Sequence, residues 1–206
     1  MVIVINSMQR SGSNILTNIL RSHDRIVYPI RETGELFPFM RRRDPESRDL
    51  RALSRAFPTD GLSKHLRDHF IETAAQAIAS HPVESTRVSD GSRYRPADFS
   101  NMIIVTKSLN RDVFFSPQIY QAFDWNYASL VLVKNGYTMI ESFRRRGVSP
   151  QRFGRSYARY YGEMIRQTGK YDRYRLVKFE EMIRDPFGVA VNVFDLLDLP
   201  WENKRL

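Results

Sequence analysis

Residues 2–21 read VIVINSMQRSGSNILTNILR, and the order of residue types along this stretch sets the expectation for the whole chain. Val2 to Asn6 is a short β-branched run that stops at polar Ser7, which predicts a strand. Asn14 to Arg21 predicts a helix, with Ile15, Leu16, Ile19 and Leu20 on one face. The loop between them, Met8-Gln9-Arg10-Ser11-Gly12-Ser13-Asn14, is where a strand hands over to a helix. Unpaired N–H groups and the positive end of the helix dipole point into such a loop, so it suits an anion. Gly12 permits close approach of the backbone, Ser11, Ser13 and Asn14 carry side-chain donors, and Arg10 adds a permanent forked charge. The same residues also describe an ordinary polar turn with a helix cap. The loop is not a Walker A motif, which requires G-x-x-x-x-G-K-[ST], because no Lys occurs between Met1 and Leu62.

Beyond this unit, strand and helix signals alternate. Arg31 to Pro58, with Pro38, Pro45, Pro58 and Arg41-Arg42-Arg43, suits a surface segment with short helical pieces that folds over a site. Leu62 to Ser80 predicts a helix burying Leu66, Phe70, Ala74, Ala77 and Ile78. After a polar stretch from Val83 to Asn101, Met102 to Thr106 reads as a buried strand with Lys107 at its exit. A helix is expected near Ser116-Pro117, and Leu130 to Val133 reads as a strand ending at Lys134, with Gly136 opening the next turn. Tyr137 to Arg146, Pro150 to Thr168 and Phe187 to Leu197 predict helices, and Arg175 to Phe179 a strand. The expected fold is α/β, a mostly parallel central sheet flanked by helices on both faces, with ligands gathered at the carboxyl ends of the strands.

A length of 206 residues suits one domain spanning 1–206, and 42% apolar with 27% charged residues excludes disordered and fibrous classes. No run approaches the roughly 18–20 apolar residues of a membrane span. Met1 leads directly into Val2 without a charged export leader, and the chain has no Cys, so the expected location is cytoplasmic. The absence of Cys excludes disulfides, thiolate nucleophiles and cysteine-ligated zinc. A net charge of +9 points to an anionic partner, whether nucleic acid, membrane face, acidic glycan or phosphorylated cofactor.

Lys134 ends one strand and Ser142 follows eight residues later on the succeeding helix. The loop R-S-G-S-N, joined to a basic residue and a Ser at this spacing, resembles the nucleotide signature of sulfotransferases that use 3′-phosphoadenosine-5′-phosphosulfate. The resemblance extends from Arg10 through Ser22-His23 to Glu32-Thr33, similar to the protein-tyrosine and carbohydrate branch. It includes Val105-Thr106-Lys107-Ser108, and Val177 to Pro186 against a Y-E-D-L-x-x-D-P stretch. It implies a P-loop-like nucleotide-binding core. Arg10, Ser11, Gly12, Ser13 and Asn14 would cradle the 5′-phosphosulfate, and Lys134 and Ser142 would grip the 3′-phosphate. Arg10 and Lys107 would stabilise charge on the departing phosphate, and Glu32 would be the base toward an acceptor hydroxyl of a carbohydrate or small molecule. The sequence departs from the family where Lys134 replaces a usual Arg, Asn135-Gly136 a usual Asp-Pro or Asp-Gly, and Phe179 a frequent Tyr. Relatives continue past the counterpart of Leu199-Pro200-Trp201 into a segment covering the nucleotide.

Sulfuryl transfer calls for positioning and cations around the leaving group, and the expected site holds no metal. Glu35 is the reserve base, and Glu32 has the duller reading of a surface carboxylate beside Arg31 or Arg41. Lys107 and Lys134 likewise have the duller reading of solvated strand ends. His65 and His69 have helical i, i+4 spacing without a third metal ligand. Arg41 to Arg43, Arg144 to Arg146 and the Tyr/Arg-rich stretch Tyr157 to Tyr174 suit nucleic acid held through phosphates and stacking, more often solvated faces, or, in an enzyme, an anionic glycan acceptor. The rival readings are a P-loop-type phosphotransferase, disfavoured by the missing Walker Lys, and a basic nucleic-acid-binding protein, for which no recognised module occurs.

Overall fold

All six residues of β1 (Val2–Ser7) are buried, the pattern of a central parallel strand covered on both faces. The computed structural model describes residues 1–29, 32–33, 59–81, 86–87, 91–95, 98, 102–123 and 126–200. Among them the chain runs β1, α1 (Ser13–Arg21), β2 (Ile26–Val27), α2 (Thr59–Ala79), β3 (Ile103–Leu109) and a 3-10 turn (Asn110–Phe115). It continues through α3 (Ser116–Phe123), β4 (Tyr127–Val133), α4 (Gly136–Arg144), α5 (Pro150–Arg166), β5 (Tyr174–Lys178), α6 (Phe179–Arg184) and α7 (Pro186–Leu196). The five strands form one sheet in the order β2-β3-β1-β4-β5, every pairing parallel. The chain moves from β1 to one side through α1 and later to the other side through β4. The α/β expectation therefore holds, with β1 at the point where the winding reverses.

Alternation along β1 feeds two cores. Ile3 and Ile5, with Val105 and Leu130, face Leu16 and Leu20 of α1 and Ala190, Val193 and Phe194 of α7. Val2 and Val4 face Phe70, Ala74 and Ile78 of α2 and Ile119 and Phe123 of α3. The i, i+4, i+8 spacing of Phe70, Ala74 and Ile78 places them on one helical stripe. Phe70 meets Phe123 edge-on at 5.0 Å, so Phe70→Ala would cost about 3–5 kcal/mol. A third cluster, around Met8, Val131, Met139, Phe153 and Tyr161, ties α4 and α5 to the strand ends.

Some boundaries differ from expectation. The strand predicted to end at Thr106 continues through Leu109, so Lys107 lies inside β3, not at its exit. The charge stops an apolar run in the sequence, but not the hydrogen-bonded ladder, because Lys107 finds partners within the fold. Phe179, expected to close a strand, begins α6. Ile15, expected on the buried face of α1, is 40% exposed, while Ser13, Leu16, Thr17 and Leu20 are buried. Glu35, the Arg41-Arg42-Arg43 run and most of the segment from Arg31 to Pro58 lie outside the described residues. Among the described residues no helix is long and apolar enough to cross a membrane.

Candidate active site

Ser7 of β1 pairs with Leu109 of β3 on one side and Leu132 of β4 on the other, so three strands end side by side. A cleft of about 540 Å³ opens at this edge. The loop after β1 contributes Arg10, Gly12, Ser13 and Asn14; β3 contributes Lys107, beside Glu32; and Lys134 comes from the residue after β4. Thr138 and Ser142 of α4, Arg146 of the turn that closes it, and Phe179 of α6 complete the polar and aromatic lining. Of the described residues that the sequence suggested for the donor and the reaction, Ser11 alone does not line the cleft. Its hydroxyl is buried with no hydrogen-bond partner among the described residues, and its N–H donates to the Met8 carbonyl at 3.3 Å.

The loop is shaped by two left-handed residues, Arg10 at φ 70° and Gly12 at φ 94°. For Arg10 that conformation costs about 1–3 kcal/mol, which the surrounding structure must offset. Gly12 is also the N-cap of α1, and no side chain caps that helix. The N–H groups of Gly12, Ser13 and Asn14 have no acceptor among the described residues, so the first-turn donors remain available to a ligand. This disfavours the reading as a self-capped polar turn. A Cβ at Gly12 would run into the Phe179 ring, so the loop's path requires glycine here on steric grounds as well.

Lys107 is 7% exposed, and its Nζ donates to Oδ1 of Asn14 at 2.8 Å. The ammonium also lies 4.7 Å from the centroid of the Tyr28 ring. Glu32 pairs with Lys107 in an isolated parallel bridge. Burial pushes the Lys107 ammonium below the ordinary lysine range, and the negative charge of Glu32 opposes that shift only in part. Lys107 and Glu32 are therefore neighbours within the fold, not two solvated surface groups.

Lys134 stacks its ammonium 4.0 Å from the centroid of Phe179. Its carbonyl accepts the Tyr157 hydroxyl at 3.0 Å. Asn135 caps α4 by accepting the Tyr137 N–H at 2.8 Å, and its own N–H donates to Glu180 at 3.0 Å. Burial raises the Tyr157 pKa, with the Glu180 charge adding to the effect, so Tyr157 stays a neutral donor to the Lys134 carbonyl. Among the described lining residues four cations, Arg10, Lys107, Lys134 and Arg146, face a single carboxylate, Glu32. A cleft of this composition attracts an extended anion.

Sequence reasoning assigned no site role to Thr138 or Phe179 and treated Arg146 as one of three equivalent arginines. The available signal was the spacing of four from Thr138 to Ser142, which sets one helical face; the helix expected to run through Arg146 ends at Arg144, and Arg146 reaches the cleft from the turn beyond it. Among the described residues no three His, Cys, Asp or Glu side chains gather as a metal would require.

A sequence profile described as the Sulfotransferase family matches residues 3–203. The chain belongs to the sulfotransferase family. Among curated proteins none matches it. Solved sulfotransferases share the fold at low identity. The sulfotransferase domain of the Synechococcus PCC 7002 olefin synthase is 22% identical at a TM-score of 0.55, covering 98% of this chain and 74% of that one. The sulfotransferase domain from the curacin biosynthetic pathway is 16% identical at a TM-score of 0.57, covering 100% and 76%. A sulfotransferase from Alicyclobacillus acidocaldarius is 15% identical at a TM-score of 0.50, covering 96% and 81%. This sulfotransferase thus has a P-loop-like α/β core, with the loop after β1 in place of a Walker motif.

Proposed function

We propose that this sulfotransferase uses 3′-phosphoadenosine-5′-phosphosulfate as donor and a hydroxyl of a carbohydrate or small molecule as acceptor. The observation that carries the reading is one cleft on which the loop from Arg10 to Asn14 and the pair Lys134 and Ser142 both open. The residues fit such a donor. The free N–H groups at Gly12, Ser13 and Asn14 and the Arg10 guanidinium suit a phosphosulfate, while Lys134 and the Ser142 hydroxyl suit a second phosphate. The match from residue 3 to 203 supports reading the chain as one domain.

The donor supplies the sulfuryl group and a bisphosphate leaving group. Glu32 takes the proton of the acceptor hydroxyl as its oxygen bonds to sulfur and the sulfur–phosphate oxygen bond breaks, a role worth about a hundred- to ten-thousandfold in rate. Arg10 and Lys107 hold the charge that gathers on the 5′-phosphate, and the dipole of α1 adds to theirs. Asn14 orients Lys107 through its 2.8 Å bond. No step calls on a metal ion. The cationic lining also suits an acceptor that carries acidic groups, such as an anionic glycan.

Calorimetric titration with adenosine 3′,5′-bisphosphate beside ATP and magnesium tests the reading. Tighter binding of the bisphosphate is expected; preference for magnesium ATP, or salt-sensitive binding of any polyanion without nucleotide selectivity, would overturn it.

A further inference from the structure

Arg144, Arg145 and Arg146 are one cluster in the sequence and two in space. Arg144 and Arg145 both reach Glu141, at 3.9 and 3.4 Å, on the exposed side of α4. Arg146 instead lines the cleft, and its guanidinium has no ion-pair or hydrogen-bond partner among the described residues. The turn that ends α4 fixes this separation. The N–H of Arg146 donates to the Phe143 carbonyl at 3.0 Å, that of Val148 to the same carbonyl at 3.1 Å, and Gly147 takes a left-handed φ of 76°. Such a glycine closes a helix and leaves the residue before it at the last turn.

Thr138 and Ser142 lie about 6 Å apart along one face of α4, and Arg146 follows in the turn beyond that helix and lines the same cleft. The Thr138 hydroxyl is already committed, donating to the Asn135 carbonyl at 2.8 Å. Ser142 and Arg146 therefore carry the uncommitted side-chain donors there, beside Lys134. Lys134 supplies charge at a point and no fork. A phosphate monoester presents three oxygens in the geometry that a guanidinium meets with two parallel bonds.

We infer that Arg146 is a specificity-determining residue of the donor site, the forked donor that recognises the phosphate on the ribose 3′-oxygen and separates a 3′,5′-bisphosphate from a 5′-monophosphate. The inference rests on the donor reading above, and goes beyond it by moving bidentate recognition from the end of β4 to the end of α4. Arg144 and Arg145 lie beside Glu141 on the outer face, while Arg146 lines the cleft.

The test is calorimetric titration of the full chain with adenosine 3′,5′-bisphosphate and with adenosine 5′-monophosphate, using the unaltered protein and the exposed-site variants Arg146→Ala, Arg146→Lys and Arg145→Ala. Arg146→Ala is expected to lose about tenfold or more in bisphosphate affinity, the size of a lost charge-assisted bond, and to change little toward the monophosphate. Arg146→Lys should fall between, and Arg145→Ala should match the unaltered protein. If the unaltered protein prefers the bisphosphate and Arg146→Ala keeps that ratio, the assignment of Arg146 is overturned while the donor reading stands. If the unaltered protein prefers neither ligand, the donor reading is overturned and the inference with it.

Discussion

Nζ of Lys107 lies 2.8 Å from Oδ1 of Asn14, a bond that links the interior of β3 to the first turn of α1. An ammonium in this position trades water for one amide oxygen, one aromatic face and the field of Glu32. Desolvation dominates, so the folded-state pKa is lowered from 10.5.

A lysine whose folded pKa lies below its unfolded value is protonated more readily in the unfolded chain, so at neutral pH it subtracts from stability. That deficit shrinks as pH rises through the folded pKa toward the unfolded one. Lys107→Met keeps the bulk and removes the charge. Melting temperature is expected to rise, by about 2–4 °C for each kcal/mol recovered, while turnover is lost. A thermal melt of the variant that falls below the parent would contradict this account of Lys107.

The same residue is expected to set an alkaline limit on rate. If the Lys107 charge stabilises the leaving phosphate, kcat falls as that charge is lost, at a pH below the ordinary lysine value of 10.5. Lys107→Arg stays protonated throughout this range and should carry the alkaline limb upward, even at reduced kcat. A limb at the same pH in both proteins would assign the titration to another group.

The sheet was legible because buried parallel strands are rich in continuous apolar runs, and Val2 to Ile5 and Leu130 to Val133 are of that kind, although the fourth strand begins three residues earlier, at Tyr127. Lys107 broke the third run in the sequence but not in the fold, since spacing does not reveal that Asn14, ninety-three positions away, answers the charge. Ile15 and Phe179 were misplaced for a related reason. Helical periodicity shows which residues share a face, whereas the cleft claims side chains that would otherwise be buried or would end a strand. Arg146 was hidden within a run of three, because spacing does not show that the helix stops at Arg144 and that the turn beyond it brings Arg146 to the cleft while Arg144 and Arg145 lie beside Glu141.

Glu32→Gln preserves size and hydrogen bonding and removes the basic oxygen. Turnover should drop by about a hundredfold or more, with bisphosphate affinity within about twofold of the parent, because Glu32 faces the acceptor and not the leaving group in the proposed reaction. Rate and titration are measured on the same preparation. Undiminished turnover would remove Glu32 from the base position.

Gly12→Ala should cost both fold and function. Its φ of 94° disfavours any side chain, and the added methyl would run into the Phe179 ring. A loss of about 1–3 kcal/mol in stability is expected. The double variant Gly12→Ala with Phe179→Ala relieves the clash but not the backbone strain, so the combination should do better than the sum of the two single losses. Strict additivity in denaturant melts would mean that Phe179 does not set the path of the loop.

Phe179 joins the two parts of the cleft proposed to hold the donor's anionic groups, since its ring bounds Gly12 and carries the Lys134 ammonium at 4.0 Å from its centroid. Removing the charge and removing the ring should therefore have different consequences. Lys134→Met keeps an apolar contact with the ring and loses the cation, so bisphosphate affinity should fall by about ten- to a hundredfold, the range of one charge-assisted bond. Phe179→Leu keeps the cation but frees it from a cation–π contact between two half-buried side chains, worth about 0.5–1 kcal/mol or somewhat more, a loss of about two- to fivefold or more if that contact serves to position Lys134. The salt dependence of binding separates the two: its slope should shrink for Lys134→Met and stay unchanged for Phe179→Leu. An unchanged slope in Lys134→Met would mean that Lys134 takes no direct part in holding the anion.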